Sequence, residues 1–163
     1  MELKRIIEIY TESKIEDYRL GTELPVSGLE IHTGEVDAFC SALPNIFEKA
    51  YNTYLSRYLT ALIQQCKSKE ISLNLPNLPI LLNNFGYTLK DKKMIINGNL
   101  GELAFMYARD CLIEVRGNVG ERLGYIADNC QFRVINGDIG TNPLECAGNC
   151  KLELIKNLKF NKK

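Results

Sequence analysis

The segment Gly117-Asn118-Val119-Gly120-Glu121-Arg122-Leu123-Gly124-Tyr125-Ile126-Ala127-Asp128-Asn129-Cys130-Gln131-Phe132-Arg133-Val134 decides the fold, because its pattern occurs three times. Upstream, Gly98-Asn99-Leu100-Gly101 leads to Cys111; downstream, Gly137-Asp138-Ile139-Gly140 leads to Cys150. From the second glycine of each quartet to its cysteine is ten residues in all three copies. The period is 19 residues from Gly98 to Gly117 and 20 from Gly117 to Gly137. One inserted residue between Val134 and Gly137 accounts for the difference. Fixed self-similarity at this period is the mark of a repeat architecture.

Each copy runs into an alternating strand. Ile113 and Val115, Phe132 and Val134, and Leu152 and Leu154 fall on one face, while Glu114, Arg133 and Glu153 fall on the other. Met94 and Ile96 lie on the same track and predict one more strand ahead of the first full copy. Nineteen residues are too few for a strand, a crossover helix and a return. They suit a solenoid whose strands pair in parallel with their equivalents one coil away. Alternation then turns Cys111, Cys130 and Cys150 inward as a column spaced by about 4.8 Å. Asp110, Asn129 and Asn149 precede them at a corner, where Asx residues accept left-handed geometry. Ala108, Ala127 and Ala147 form a narrow interior column, and Asn99, Asn118 and Asp138 a polar row whose expected role is ladder hydrogen bonding.

Six cysteines invite a disulfide or metal reading. The period instead makes three of them one repeated interior position, where buried cysteine behaves as a small hydrophobe. The alternative is a thiol-dependent metal or redox site built from Cys111, Cys130, Cys150 and Cys146. Neither His nor a carboxylate shares that apolar column. Cys40 and Cys66 have no paired spacing, and a Cys40–His32 dyad lacks an evident third group to orient it. His32 is the single histidine, which excludes a multi-His metal site. The glycine quartets lack GxGxxG spacing and a following helix, so they read as turn chemistry rather than a phosphate loop.

The N-terminal half reads as helical. Leu3, Ile6, Ile7 and Tyr10 suggest a helix over 3–18, and residues 19–34, with Gly21, Pro25, Gly28 and Gly34, predict loop with a short strand at Leu29–His32. A short helix near 35–42 is expected to end at Pro44. A longer one over 45–68 is expected to start at an Asn45 cap with Glu48 three residues on. Its stripe of Phe47, Tyr51, Tyr54, Leu55, Tyr58, Leu62 and Cys66 predicts a packing face. Pro76 and Pro79 mark Ser72–Asn84 as a connector. Lys90-Asp91-Lys92-Lys93 and the tail lysines Lys159, Lys162 and Lys163 read as solvated clusters.

The 163 residues carry 20 basic and 20 acidic side chains, so neither a general nucleic-acid binder nor an electrostatic membrane binder is expected. No secretory signal pattern follows Met1 and no apolar run approaches about 20 residues, so a cytoplasmic location is expected.

The quartets resemble the coil of the GXGXG β-helix domain, found at the C-terminus of the glutamate synthase large subunit and in one of the subunits of formylmethanofuran dehydrogenase. Gly117 through Gly124 follows the first eight positions of that coil, with Phe132 and Val134 on its strand; Gly98, Gly101, Glu102, Gly137 and Gly140 carry it into the other copies. The family's Gly-Gly corner is Asp110-Cys111, Asn129-Cys130 and Asn149-Cys150 here, and Gly124 has no glycine counterpart at Phe105 or Leu144. The resemblance covers residues 94–155. It implies a scaffold domain without catalytic residues of its own, serving a larger, redox enzyme assembly. A lesser resemblance is to bactofilins, whose short β-helices form filaments.

The expected fold is α+β, a helical N-terminal region capping a short right-handed parallel β-helix of three to four coils. Its expected divisions are 1–72 helical, 73–93 connector and first rung, 94–158 β-helix and 159–163 basic tail. The expected function is a non-catalytic scaffold or interaction module, without a cofactor, whose partner is another protein or a second copy.

Overall fold

The computed structural model describes residues 3–16, 26, 30–46, 52–79 and 81–156. Three helices, α1 (Leu3–Glu16), α2 (Thr33–Ile46) and α3 (Asn52–Gln65), precede five strands: β1 (Glu70–Asn74), β2 (Lys93–Asn97), β3 (Leu112–Arg116), β4 (Gln131–Ile135) and β5 (Lys151–Ile155). The strands form one parallel sheet in sequence order, so the chain is an α+β protein with a helical N-terminus and a β-solenoid of about four turns. Two further columns of single bridges run beside the sheet. Leu100, Val119 and Ile139 make one, and Lys90, Arg109, Asp128 and Gly148 the other. Each coil therefore has three hydrogen-bonded sides.

The glycine quartets are where coils press backbone on backbone. A Cβ on Gly120 would lie 2.7 Å from the Gly101 carbonyl carbon, and one on Gly140 2.6 Å from the Glu121 nitrogen. Gly117 and Gly137 are closed in by the carbonyls of Gly98 and Gly117 in turn. The turn side uses alternating left-handed residues, with φ of 55°, 59° and 59° at Leu103, Phe105 and Tyr107. The same geometry recurs one coil on at Arg122, Gly124 and Ile126. At one turn position Gly86, Phe105, Gly124 and Leu144 follow each other down the stack. A Cβ on Gly86 would strike the Phe105 ring, and one on Gly124 would lie 2.8 Å from Leu144 and 2.9 Å from Phe132. The glycines make room for the bulky residues of neighbouring coils, which is why the glycine column is interrupted.

The solenoid begins a coil earlier than the repeat implies. β1 starts at Glu70, inside the stretch 1–72 expected to be helical. With the turn through Lys92, where 73–93 is expected as connector and first rung, it forms a full coil, paired Glu70 to Lys93 through Asn74 to Asn97. Its 23-residue period, from Glu70 to Lys93, absorbs both prolines between strand and turn. It carries neither the glycine quartet nor the cysteine, so the repeat signature is missing.

The helices also shift. α2 runs from Thr33 through Pro44 to Ile46, so Gly34 is helical and Asn45 is not a cap. His32 caps α2 instead, its N–H donating to Glu35 Oε2 at 2.7 Å. Glu48, Phe47 and Tyr51, together with Gly21, Pro25, Gly28 and the tail lysines, lie outside the described residues. Of the strand expected over Leu29–His32, Leu29 lies outside the described residues, and Ile31 forms a single parallel bridge to Cys66. The aromatic stripe packs inside the helical layer: Tyr10 lies 5.3 Å from Tyr58 and 5.9 Å from Phe39 between ring centres, and Tyr58 Oη donates to the Ile6 carbonyl at 2.9 Å. α2 packs on β1, and one continuous core joins the helical layer to the coils.

Candidate functional site

Cys111 and Cys130 are buried and Cys150 half-buried, stacked at successive corners. Each thiol donates to the carbonyl two residues back: Cys111 to Arg109 at 3.1 Å, Cys130 to Asp128 at 3.2 Å and Cys150 to Gly148 at 3.2 Å. The side chain is small enough for the corner and supplies the donor that closes it. Ahead of each cysteine, Asp110, Asn129 and Asn149 hold φ of 53°, 51° and 51°, and Asn129 Nδ2 donates to Asp110 Oδ1 at 2.6 Å. The neighbouring Cys111 sulfur and burial push the Cys130 thiol up, while Cys111 is lowered by the same contact.

Cys146 stands apart, exposed on the last turn. Cys40 is buried in α2, where burial pushes its thiol up to about 12, whereas His32 is exposed at the start of that helix. Among the described residues no group of three or more His, Cys, Asp or Glu is placed to hold a metal ion. The Asn row forms a ladder: Asn118 N–H donates to Asn99 Oδ1 at 2.8 Å, and Asp138 N–H to Asn118 Oδ1 at 2.9 Å. Lys156 Nζ closes its lower end on Asp138 Oδ1 at 2.5 Å.

Sequence reasoning missed Lys92. It occupies the cysteine position of the first coil and is 6% exposed, not part of a solvated cluster. Its ammonium donates to the carbonyls of Cys66 at 2.7 Å and Ser68 at 2.9 Å, just past the C-terminus of α3. Cation donors suit that helix end. Burial lowers its pKa from the usual lysine range, opposed by the nearby Cys66 and Cys111 sulfurs.

The two ends of the solenoid differ. In the second coil, the N–H groups of Glu102, Phe105 and Arg109 donate to Asn83 Oδ1 and to the Phe85 and Leu89 carbonyls of the first. The equivalent donors of the first coil have no coil above them, and α3 supplies the acceptors. Asn83 N–H donates to Asn52 Oδ1 at 3.2 Å, Gly86 N–H to Thr60 Oγ1 at 2.8 Å and Lys90 N–H to Gln64 Oε1 at 2.8 Å. Asn52 and Gln64 also donate back, to the carbonyls of Leu81 at 2.6 Å and Lys90 at 3.3 Å. One polar face of α3 thus replaces a coil.

At the other end, Leu103 and Arg122 donate downward to the Glu121 and Thr141 carbonyls, but the corresponding Asn142 has no coil beneath it among the described residues. β5 is the sheet edge there, with Leu152 half-buried and Leu154 51% exposed.

A separate cleft of about 440 Å³ opens beside the turns, lined by Tyr87, Thr88, Lys90, Tyr107 and Arg109. Arg57 sits 5.0 Å over Tyr87, which meets Tyr107 edge to face, so the rings are already engaged with the protein.

Fold and ends together define a parallel β-solenoid capped by a helical layer at its N-terminal end and, among the described residues, open at its C-terminal end. Compared with protein-family models, curated proteins and solved structures, the chain matches none. No helix among the described residues is long and apolar enough to cross a membrane.

Proposed function

We propose that this chain is a non-catalytic scaffold or protein-interaction module whose working surface is the open coil end. One observation carries the reading: among the described residues the solenoid ends with an unpaired strand edge and exposed core positions, while its interior polar groups are taken up by ladders. Each thiol of the column is spent on a local carbonyl, which is a structural use. The resemblance of the quartets to GXGXG domains supports the same role and suggests an accessory subunit of a larger enzyme assembly. The scaffold is a cytoplasmic protein on this reading. Native mass spectrometry of complexes taken from the source cell tests it, with cross-links expected from residues 137–156 to a stoichiometric protein partner. Turnover by the isolated chain, abolished by one substitution outside the core, overturns it.

The second reading, a thiol-dependent redox or metal protein, draws on the stacking of Cys111, Cys130 and Cys150. It requires native-state thiols in the column that react with an alkylating agent or are shielded by added metal.

A further inference from the structure

We infer that the open end docks a second copy of this chain, tail to tail about a twofold axis through Leu152; this partner assignment rests on the scaffold reading above. An edge strand offering unpaired backbone groups and exposed apolar positions is a template for another strand. Among the described residues β5 has that form, with Leu154 half out of the protein and Leu152 on the same inward track. A twofold axis normal to the sheet pairs β5 with its own copy in antiparallel fashion and keeps inward residues inward. Centred on Leu152, that register sets Leu152 against itself, Leu154 against Cys150, and Lys151 against Glu153.

The outer face shows why this register fits. Down the stack, Glu114, Arg133 and Glu153 alternate in sign, with Arg133 Nη1 3.8 Å from Glu114 and Nε 3.0 Å from Glu153. The register carries the alternation onward, because Glu153 next meets Lys151 of the second copy. Centring on Glu153 instead would oppose two carboxylates, which is unfavourable directly across strands. The opposite end is closed by α3, so no second face of this kind remains among the described residues and assembly stops at two instead of growing into a filament.

Sedimentation equilibrium of the full chain over a rising concentration series tests the inference. A species of twice the 18.5 kDa chain mass is expected, with no larger ones. Lys151→Glu alone and Glu153→Lys alone each place like charges across the axis and should weaken association about tenfold. The double exchange restores opposite charges and should recover most of the loss. Leu154→Asp should leave a folded monomer, with circular dichroism checking the fold of every variant.

A wild-type chain that stays monomeric overturns the inference, as does growth into longer polymers or a double exchange no tighter than the single variants. A monomer that binds a different protein through residues 137–156 overturns this partner and leaves the scaffold reading standing.

Discussion

Thr60→Val tests whether α3 stands in for a missing coil. The substitution nearly preserves shape and removes one hydroxyl that accepts from Gly86 N–H at 2.8 Å and donates to the Ser56 carbonyl at 2.7 Å. Thr60 is 4% exposed and Gly86 is buried, so water does not replace the lost acceptor. A buried donor left unsatisfied costs about 1–3 kcal/mol. Taking about 2 kcal/mol, the unfolding equilibrium shifts about thirtyfold. Gln64→Ala removes the equivalent acceptor from Lys90 N–H, but both residues are exposed and water can substitute, so about 0.5 kcal/mol or less is expected. Urea unfolding followed by circular dichroism gives both values, and amide exchange at Gly86 and Lys90 reports the sites directly. Coils in a solenoid interact mainly with neighbours, so exchange in the first coil should rise more than in β4. Equal costs for the two substitutions, or a Thr60→Val change within about 0.5 kcal/mol of zero, would refute the reasoning.

Gly124→Ala should destabilise by about 1–3 kcal/mol, since its φ is 65° and the new Cβ meets Leu144 and Phe132; thermal unfolding measures it. Phe105→Ala should cost about 3–5 kcal/mol by emptying the space between the coils, measured the same way. The Cys40 thiol, raised to about 12 in the folded chain against about 8.5 unfolded, keeps its proton where the unfolded thiol has lost it. Its contribution is therefore fully present below about pH 8.5 and is lost as pH rises towards 12, so Cys40→Ala should flatten the alkaline limb of a stability–pH profile. Native alkylation followed by mass spectrometry should label exposed Cys146 first and Cys40 and Cys130 last; rapid labelling of Cys130 would contradict its burial.

The solenoid was legible because its constraints repeat. A glycine forced by coil-on-coil contact at Gly120 is forced again at Gly140, and the corner that wants a thiol at Cys111 wants one at Cys130 and Cys150. The first coil was legible only as a rung within a connector because its upper neighbour is a helix. At the corner, Lys92 serves the end of α3 where the later coils keep a cysteine, and the first coil carries no glycine quartet. The Tyr54–Tyr58 stripe identified α3 as a packing helix and concealed its second role, since nothing in the sequence marks Asn52, Thr60 and Gln64 as partners of a coil's backbone until the coil beside them is known. The boundary at Pro44 failed because proline near the end of a helix removes one hydrogen bond that the packing of Val36, Phe39 and Leu43 outweighs. Nothing in the composition distinguishes the two ends, and the candidate site lies in that difference.

Helix and coil can be matched because their lengths agree. From Asn52 to Gln64 a helix advances about 18 Å at about 1.5 Å per residue. The first-coil turn from Asn83 to Lys90 takes seven steps, at most about 23 Å if extended and less with its alternating left-handed residues. Positions 52, 60 and 64, spaced in multiples of four, stay on one face and arrive over Asn83, Gly86 and Lys90 in the same order. Lys92 then fixes the end of that helix to the cysteine column, so the alignment is pinned where α3 stops. A strand placed there would pair the same backbone groups but leave its own other edge open, moving the problem up by one coil. A helix satisfies its own backbone and terminates the stack. The other end has no such terminator among the described residues, and the proposed twofold partner would supply one.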